Sequence, residues 1–378
     1  MNRKQFLMAL AVLVVLAGAG AAVILSERSG WKSADSRAGQ KLIPNLRIDQ
    51  IAEIGIRDAA GELHLVRGEA SWSVRERAGF AAETDRVAEL LVKLAELKIV
   101  QSEALPDAQR ARLELVEPKD KAQGAGTLLE LKDTKGGSLA RLLLGKKVMK
   151  SAEVASLSRG EAEATGRYLT QGGDAGTMLV VAEPLAQVES KAEPWLVKDL
   201  VRADGAKTIA ASKDGKQRWR VTRDSESLDW KFAGSGEKPD LQKATDLASS
   251  LGWVNLVDVV ADPARVDTGL ARAVVIKADT FDGPSYTLRS GNRAGDNYYV
   301  GVAVAGEPRK TRTPAKGEKA EDKAKNDKEF EERRAKLVER LEREKKLEKW
   351  TYLVGKNVVE PLLRDRPQLL PEKKAKKG

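Results

Sequence analysis

No cysteine occurs among the 378 residues, and histidine occurs once, at position 64. Those absences remove most catalytic and metal-binding chemistry. There is no thiol nucleophile, no Cys/His zinc set and no cysteine for a lipid anchor, and a Ser-His-Asp triad would have to use His64. A cysteine-free chain is compatible with export, because domains of this size hold together without disulfides. Aromatic residues make up only 4%. Nucleic-acid binding wants a basic stripe interleaved with stacking aromatics, whereas here a net charge of +10 is spread through mixed Lys, Arg, Asp and Glu, so no nucleic-acid partner is expected.

The remaining chemistry-bearing residues do not assemble into a motif. His64 stands in Leu63-His64-Leu65, where strand alternation turns it away from both leucines, and it reads as a surface or hydrogen-bonded side chain. Glu161 and Glu163 form a carboxylate pair in polar connecting sequence. Gly145-Lys146-Lys147 lacks the preceding glycine of a phosphate loop and reads as a turn. No catalytic, cofactor-binding or metal residue is therefore assigned, and the expected protein is not an enzyme.

What is present begins with an uncharged run, residues 6–25 (FLMALAVLVVLAGAGAAVIL). Its 20 residues, at about 1.5 Å each, match the roughly 30 Å of a bilayer's hydrocarbon core. With Arg3 and Lys4 ahead of it, the run predicts an N-terminal transmembrane anchor over 1–28 with a cytoplasmic N-terminus. The rest of the chain would then face the periplasm or exterior of a bacterial inner membrane, as a single-pass protein in contact with the lipid bilayer. A cleaved signal peptide is the rival reading, since Ala17-Gly18-Ala19 fits a small-x-small cleavage site. Gly18 and Ala22 lie four apart and offer a close-packing face to another membrane helix. Trp31 would sit near the interface, in a tether over 29–45.

Beyond the tether, apolar and polar residues alternate over 51–57, 62–67 and 71–75, the period of half-buried strands. Residues 84–97 switch to a three-and-four spacing through Val87, Leu90, Leu91, Leu94 and Leu97, which predicts a helix packed on the sheet. A strand at 98–102, a short helix at 106–113, a hairpin from 127–132 and 139–144, strands at 167–170 and 177–182, and a helical stretch at 184–188 complete the set. The order then recurs. Trp72 answers Trp230, LAELKIV (94–100) answers LGWVNLV (251–257), and Gly145 answers Gly291 after the hairpin. The expected fold is α+β: the transmembrane helix, then two tandem copies of an antiparallel sheet with a packed helix, over 46–200 and 201–370, and a basic tail over 371–378.

The second copy carries an insert over 306–349 that the first lacks. From residue 318 it is almost wholly charged and rich in helix formers, which predicts a long solvated helix. Phe330, Leu337 and Leu341 are its sparse apolar positions and the residues through which such an arm would dock on a partner.

The segments RKQFL (3–7), LVVLA (13–17), GQKLIPNL (39–46), TLLELKDTKGGSLARLLLGKK (127–147), TFDGPSYTL (280–288), GDNYYV (295–300) and KWTYLV (349–354) together resemble a bacterial family, the domain-of-unknown-function family numbered 4340. The resemblance implies a single-pass inner-membrane protein with extracytoplasmic repeats, encoded beside the membrane subunits of gliding-motility-type ABC transport systems. It implies a partnership with those transporter membrane subunits and brings no active-site motif. The expected function is that of a non-enzymatic, membrane-anchored accessory subunit, a scaffold or binding component of an ABC-type transport system. An envelope-binding module for glycan, lipid or peptidoglycan is the alternative, and an undetected hydrolase the third reading.

Overall fold

The computed structural model describes residues 37–119, 122–149, 164–314 and 318–372. Strands dominate. The first series is β1 (Glu53–Arg57), β2 (Glu62–Arg67), β3 (Trp72–Val74), β4 (Phe80–Ala81), β5 (Ile99–Ala104), β6 (Thr127–Lys132), β7 (Ser138–Met149), β8 (Ala164–Gln171) and β9 (Asp174–Val181). The second is β10 (Asp199–Val201), β11 (Ala206–Lys213), β12 (Lys216–Thr222), β13 (Lys231–Phe232), β14 (Val254–Val259), β15 (Val274–Thr280), β16 (Ser285–Ala294), β17 (Asn297–Ala305) and β18 (Tyr352–Gly355). The helices of eight residues or more are α1 (Thr84–Glu96), α2 (Leu241–Gly252), α3 (Ala320–Lys345) and α4 (Lys356–Leu363).

Two nine-stranded sheets result, ordered β4-β3-β2-β1-β6-β7-β8-β9-β5 and β10-β14-β18-β17-β16-β15-β11-β12-β13. Leaving out β4 and β10, both sheets follow one eight-strand plan. Reading β1, β2, β3, β5–β9 and β11–β18 each as first to eighth, both run third, second, first, fifth, sixth, seventh, eighth, fourth. All strand pairings described are antiparallel, and the consecutive pairs β1–β2, β6–β7, β11–β12 and β15–β16 join through short turns. By spatial contact the chain forms two compact units. One holds the described residues up to Glu69 with Thr84–Lys191, the other Ala70–Glu83 with the described residues from Ala192 onward.

The alternation of apolar residues explains each core. Ile54 and Ile56 of β1 face Leu65 and Leu63 of β2 and Leu131 and Leu129 of β6, and all six are buried. A one-residue slip would put every one of them in water, which pins the register. In the second sheet Ile209 and Ala211 of β11 oppose Val221 and Trp219 of β12 and Ala278 and Ile276 of β15. The β11–β12 turn is Asp214-Gly215, with φ of 50° and 73°, the left-handed pair that a two-residue hairpin loop needs. Helix α1 buries Val87, Leu90, Leu91 and Leu94, and α2 buries Ala244, Leu247, Ser250 and Leu251 after an Asp240 cap that accepts from the Lys243 amide.

The α+β expectation is thereby corrected: the protein is mostly β, built on two large antiparallel sheets with few helices. Two predicted helices account for part of the difference. Over 106–113 the helix stops at Asp107–Arg110, and Glu114 (φ 57°) turns the chain away; over 184–188 no helix forms, because Leu185 takes φ 47°, a left-handed value that breaks a right-handed turn. Nor is Gly145-Lys146-Lys147 a turn. It lies inside β7 at a register shift, and the Lys146 amide donates to the Leu113 carbonyl at 2.9 Å. A Cβ on Gly145 would sit 2.3 Å from that oxygen. The second sheet repeats the device, with the Asn292 amide donating to Thr268 at 2.8 Å and a Gly291 Cβ falling 2.0 Å from the Thr268 oxygen.

The expected transmembrane anchor is corrected too. Among the described residues no helix is long and apolar enough to cross a membrane. The longest, α3, is charged along most of its 26 residues and has no hydrocarbon-compatible face. The membrane, single-pass and inner-membrane assignments rested on the 6–25 run, and no such helix is found among the described residues. That run, with Gly18, Ala22 and Trp31, lies outside the described residues, as do Glu161, Glu163 and the end of the tail from residue 373.

Candidate functional site

Helix α3 forms one wall of a groove in the second unit, so its placement comes first. Its composition of Lys, Glu, Arg and Ala favours helix, acids (Glu321, Asp322) open its first turn, and Arg343 and Lys345 close its last, matching the helix dipole. Ahead of it, the Arg312 guanidinium donates to Glu318 at 2.8 Å and to Asp327 at 2.6 Å, tying the connecting loop to the helix start. Phe330, Arg334, Leu337, Leu341 and Glu344 recur at three and four and make the less exposed stripe.

The C-terminal third of α3 is seated on the second sheet. Leu341 is 2% exposed and Glu344 5%. The Glu344 carboxylate accepts the Arg202 amide and the Tyr286 hydroxyl, each at 3.1 Å, and lies 3.7 Å from the Arg340 guanidinium. Burial raises the Glu344 pKa above the usual carboxylate value, against the pull of Arg340, the Arg202 amide and the Tyr286 hydroxyl. Burial, with the Glu344 charge beside it, likewise raises the Tyr286 phenol, which stays protonated as a donor. Past the helix, Glu348 accepts the Val304 amide at 2.8 Å.

Higher on the same stripe the helix parts from the body. A groove of about 660 Å³ opens there, a size typical of ligand pockets. The helix wall carries Arg333, Arg334, Lys336, Arg340 and Arg343 against the single acid Glu339, with Phe330 and Leu337 as its apolar positions. The opposite wall comes from three turns and is of the other sign: Asp204, Glu226 and Asp282, with Arg309 and Pro308. The walls meet where Arg340 donates to Asp204 at 2.8 Å. Elsewhere their charges are unspent. Arg333, Lys336 and Arg343 make no ion pair within 4 Å among the described residues, nor do Asp282 and Glu339, while the Glu226 charge acts on the Arg223 guanidinium. Arg334 reaches only Glu331, at 3.4 Å. The Nε atoms of Arg334 and Arg340 are buried without a hydrogen-bond partner.

Of the residues singled out for docking, Phe330 and Leu337 therefore line the groove, while Leu341 is spent on seating the helix. The acidic wall was not foreseen. Asp204-Gly205 and Asp282-Gly283 are legible as turns, yet nothing in one sequence says that two turns 78 positions apart, with Glu226 from a third, converge. Trp253 was also missed: it is 55% exposed, with the Arg202 guanidinium 4.3 Å over its ring and its indole N–H on Asp199.

His64 lies outside this site. It pairs across the strands with Gly55, and its Nε2 is 3.5 Å from Glu62 and 3.9 Å from Glu53. That is a cross-strand polar cluster on a sheet face. Among the described residues no group of three or more His, Cys, Asp or Glu is placed to hold a metal ion.

The fold and groove define a two-sheet β protein with a helix-walled cleft of divided charge. The model of the family described as a domain of unknown function, DUF4340, matches residues 72–273, more than half of the chain, and the protein belongs to that family. No curated protein matches it. No solved structure matches it either.

Proposed function

We propose that this protein acts without catalysis, as an accessory subunit of an ABC-type transport system that holds a segment of a partner subunit in the groove beside α3. One observation carries the reading: a groove of ligand-binding size whose walls bear opposite, largely unpaired charge around Phe330 and Leu337. Its carboxylates stand mostly on one wall and its cations mostly on the other, an arrangement that positions a ligand by charge. Arginine-rich walls suit recognition because each guanidinium presents a fixed fork to a carboxylate. The transport partnership is the part that comes from the family resemblance.

Photocrosslinking tests it. A photoreactive amino acid at Lys336 of the full chain, in its native cells, should yield adducts whose mass spectra identify a membrane or ATP-binding subunit of a transporter. Adducts with cell-wall glycan only, or none above those from a probe at the outward-facing Lys328, would overturn the reading.

A further inference from the structure

Resting on the reading of this groove as the partner site, we infer that it takes an extended peptide segment with acidic side chains along one edge, basic side chains along the other, and an apolar side chain among them. The division of charge between the walls is the ground for this. Five cations and Glu339 line the groove from the helix, three carboxylates and Arg309 from the opposite wall, with Arg340 and Asp204 paired, so a ligand of one sign would gain at one wall and be repelled at the other. A strand sends successive side chains to opposite sides, so alternating acid and base along the chain delivers each sign to the wall that complements it. The helix wall from Phe330 to Arg340, where the walls meet, covers ten residue steps, roughly 15 Å at about 1.5 Å each, the length of about five extended residues. Phe330 and Leu337, seven apart on one helix face, give the apolar side chain its contact.

The groove's own groups fit such a guest. Arg333, Arg334 and Lys336 present charge to incoming carboxylates, and Asp282 and Glu226 to incoming ammonium or guanidinium groups. The Arg340–Asp204 pair closes one end and limits the length of the segment. Because these groups are solvent-facing, the attraction should weaken steeply with added salt.

The test is titration of the full-length protein with fluorescein-labelled hexapeptides followed by anisotropy. One peptide alternates Glu and Lys with one central Glu replaced by Leu; a second has the same composition with the two signs in separate blocks; others are all-Glu, all-Lys, and free glutamate and lysine as competitors. The alternating peptide should bind at least tenfold more tightly than the rest, and Arg333→Glu or Asp282→Lys should each weaken it at least tenfold, while Lys328→Glu on the outer face leaves it unchanged. Circular dichroism checks that the variants fold. Equal binding of the blocked peptide or of all-Glu would overturn the inference, as would competition by the free amino acids at matched concentration. If no peptide binds while the Lys336 crosslink to a transporter subunit persists, the segment assigned here is wrong and the partner site stands. If both fail, the groove is not a partner site.

Discussion

Replacing Leu341 by alanine tests whether α3 is a seated element or a free arm. Leu341 is 2% exposed in a helix that is otherwise mostly solvated, so its side chain is the principal apolar anchor of the C-terminal third. Removing three carbons forfeits roughly 2.4 kcal/mol at about 0.8 kcal/mol each, and an incompletely collapsed cavity brings the cost to about 3 kcal/mol. How the loss appears depends on the route of opening. If α3 lifts off its sheet more cheaply than the unit unfolds, the global urea transition of the unit absorbs only part of the cost, and the full amount appears locally. Native-state hydrogen exchange measures that directly: amides from Leu337 to Lys345 should lose roughly 100-fold in protection, at about 1.4 kcal/mol per tenfold. Val338, 36% exposed one turn away, is the control, and Val338→Ala should shift the same amides by less than threefold. Equal protection loss in the two variants, or a loss below fivefold for Leu341→Ala, would refute the seating.

Three other outcomes follow from the same geometry. Gly145→Ala and Gly291→Ala each drive a methyl group into a backbone carbonyl, at 2.3 and 2.0 Å, and should cost about 2–3 kcal/mol in urea denaturation; unchanged midpoints would show that the Leu113 and Thr268 loops yield freely. Because burial raises the Glu344 pKa in the folded state, the folded chain holds that proton more tightly than the unfolded chain. The Glu344 contribution is full below the ordinary glutamate range and is lost as pH rises through the raised value, so Glu344→Gln should flatten the acid-to-neutral stability profile; a profile that the substitution leaves untouched would exclude this carboxyl as its source. Finally, Arg77 donates to both Asp258 oxygens, at 2.7 and 3.0 Å, with both side chains mostly buried, and a double-mutant cycle of Arg77→Met with Asp258→Asn should give a coupling of about 2 kcal/mol, whereas a coupling near zero would mark the pair as incidental.

Local periodicity made much of this fold legible. Glu62–Arg67, Thr84–Glu96 and Thr127–Lys132 form where the apolar spacing of two or of three and four predicts them, because those faces are the ones buried. Illegibility begins where a residue's conformation is set by distant parts of the chain. Gly145 has the look of a turn glycine, but it continues β7 because the Leu113 carbonyl needs the space. Leu185 is an ordinary helix former that adopts a left-handed conformation in its loop. For the site, the apolar stripe of the insert was readable from its spacing, and Phe330 and Leu337 do face a groove. The division of labour along that stripe was not, since only the sheet beneath separates the seated Leu341 from its neighbours.

The two sheets share a strand plan, so their differences bear on function. In the first, β8 and β9 are joined by Gly172-Gly173; in the second, the corresponding β17 and β18 enclose the insert that supplies α3. The turns between the equivalent hairpins also differ in how their acid is used. Asp133, between β6 and β7, spends its carboxylate on the Lys135 and Gly137 amides at 2.8 and 2.7 Å, which stabilises the turn and neutralises the acceptor. Asp282, between β15 and β16, makes no such bond; its backbone carbonyl takes the Arg309 amide while its side chain faces the groove. A turn that leaves its carboxylate unspent forgoes local stabilisation, on the order of 1 kcal/mol for an ordinary hydrogen bond. That loss falls at a hairpin turn that faces the cationic helix, where the acid is available to a bound segment.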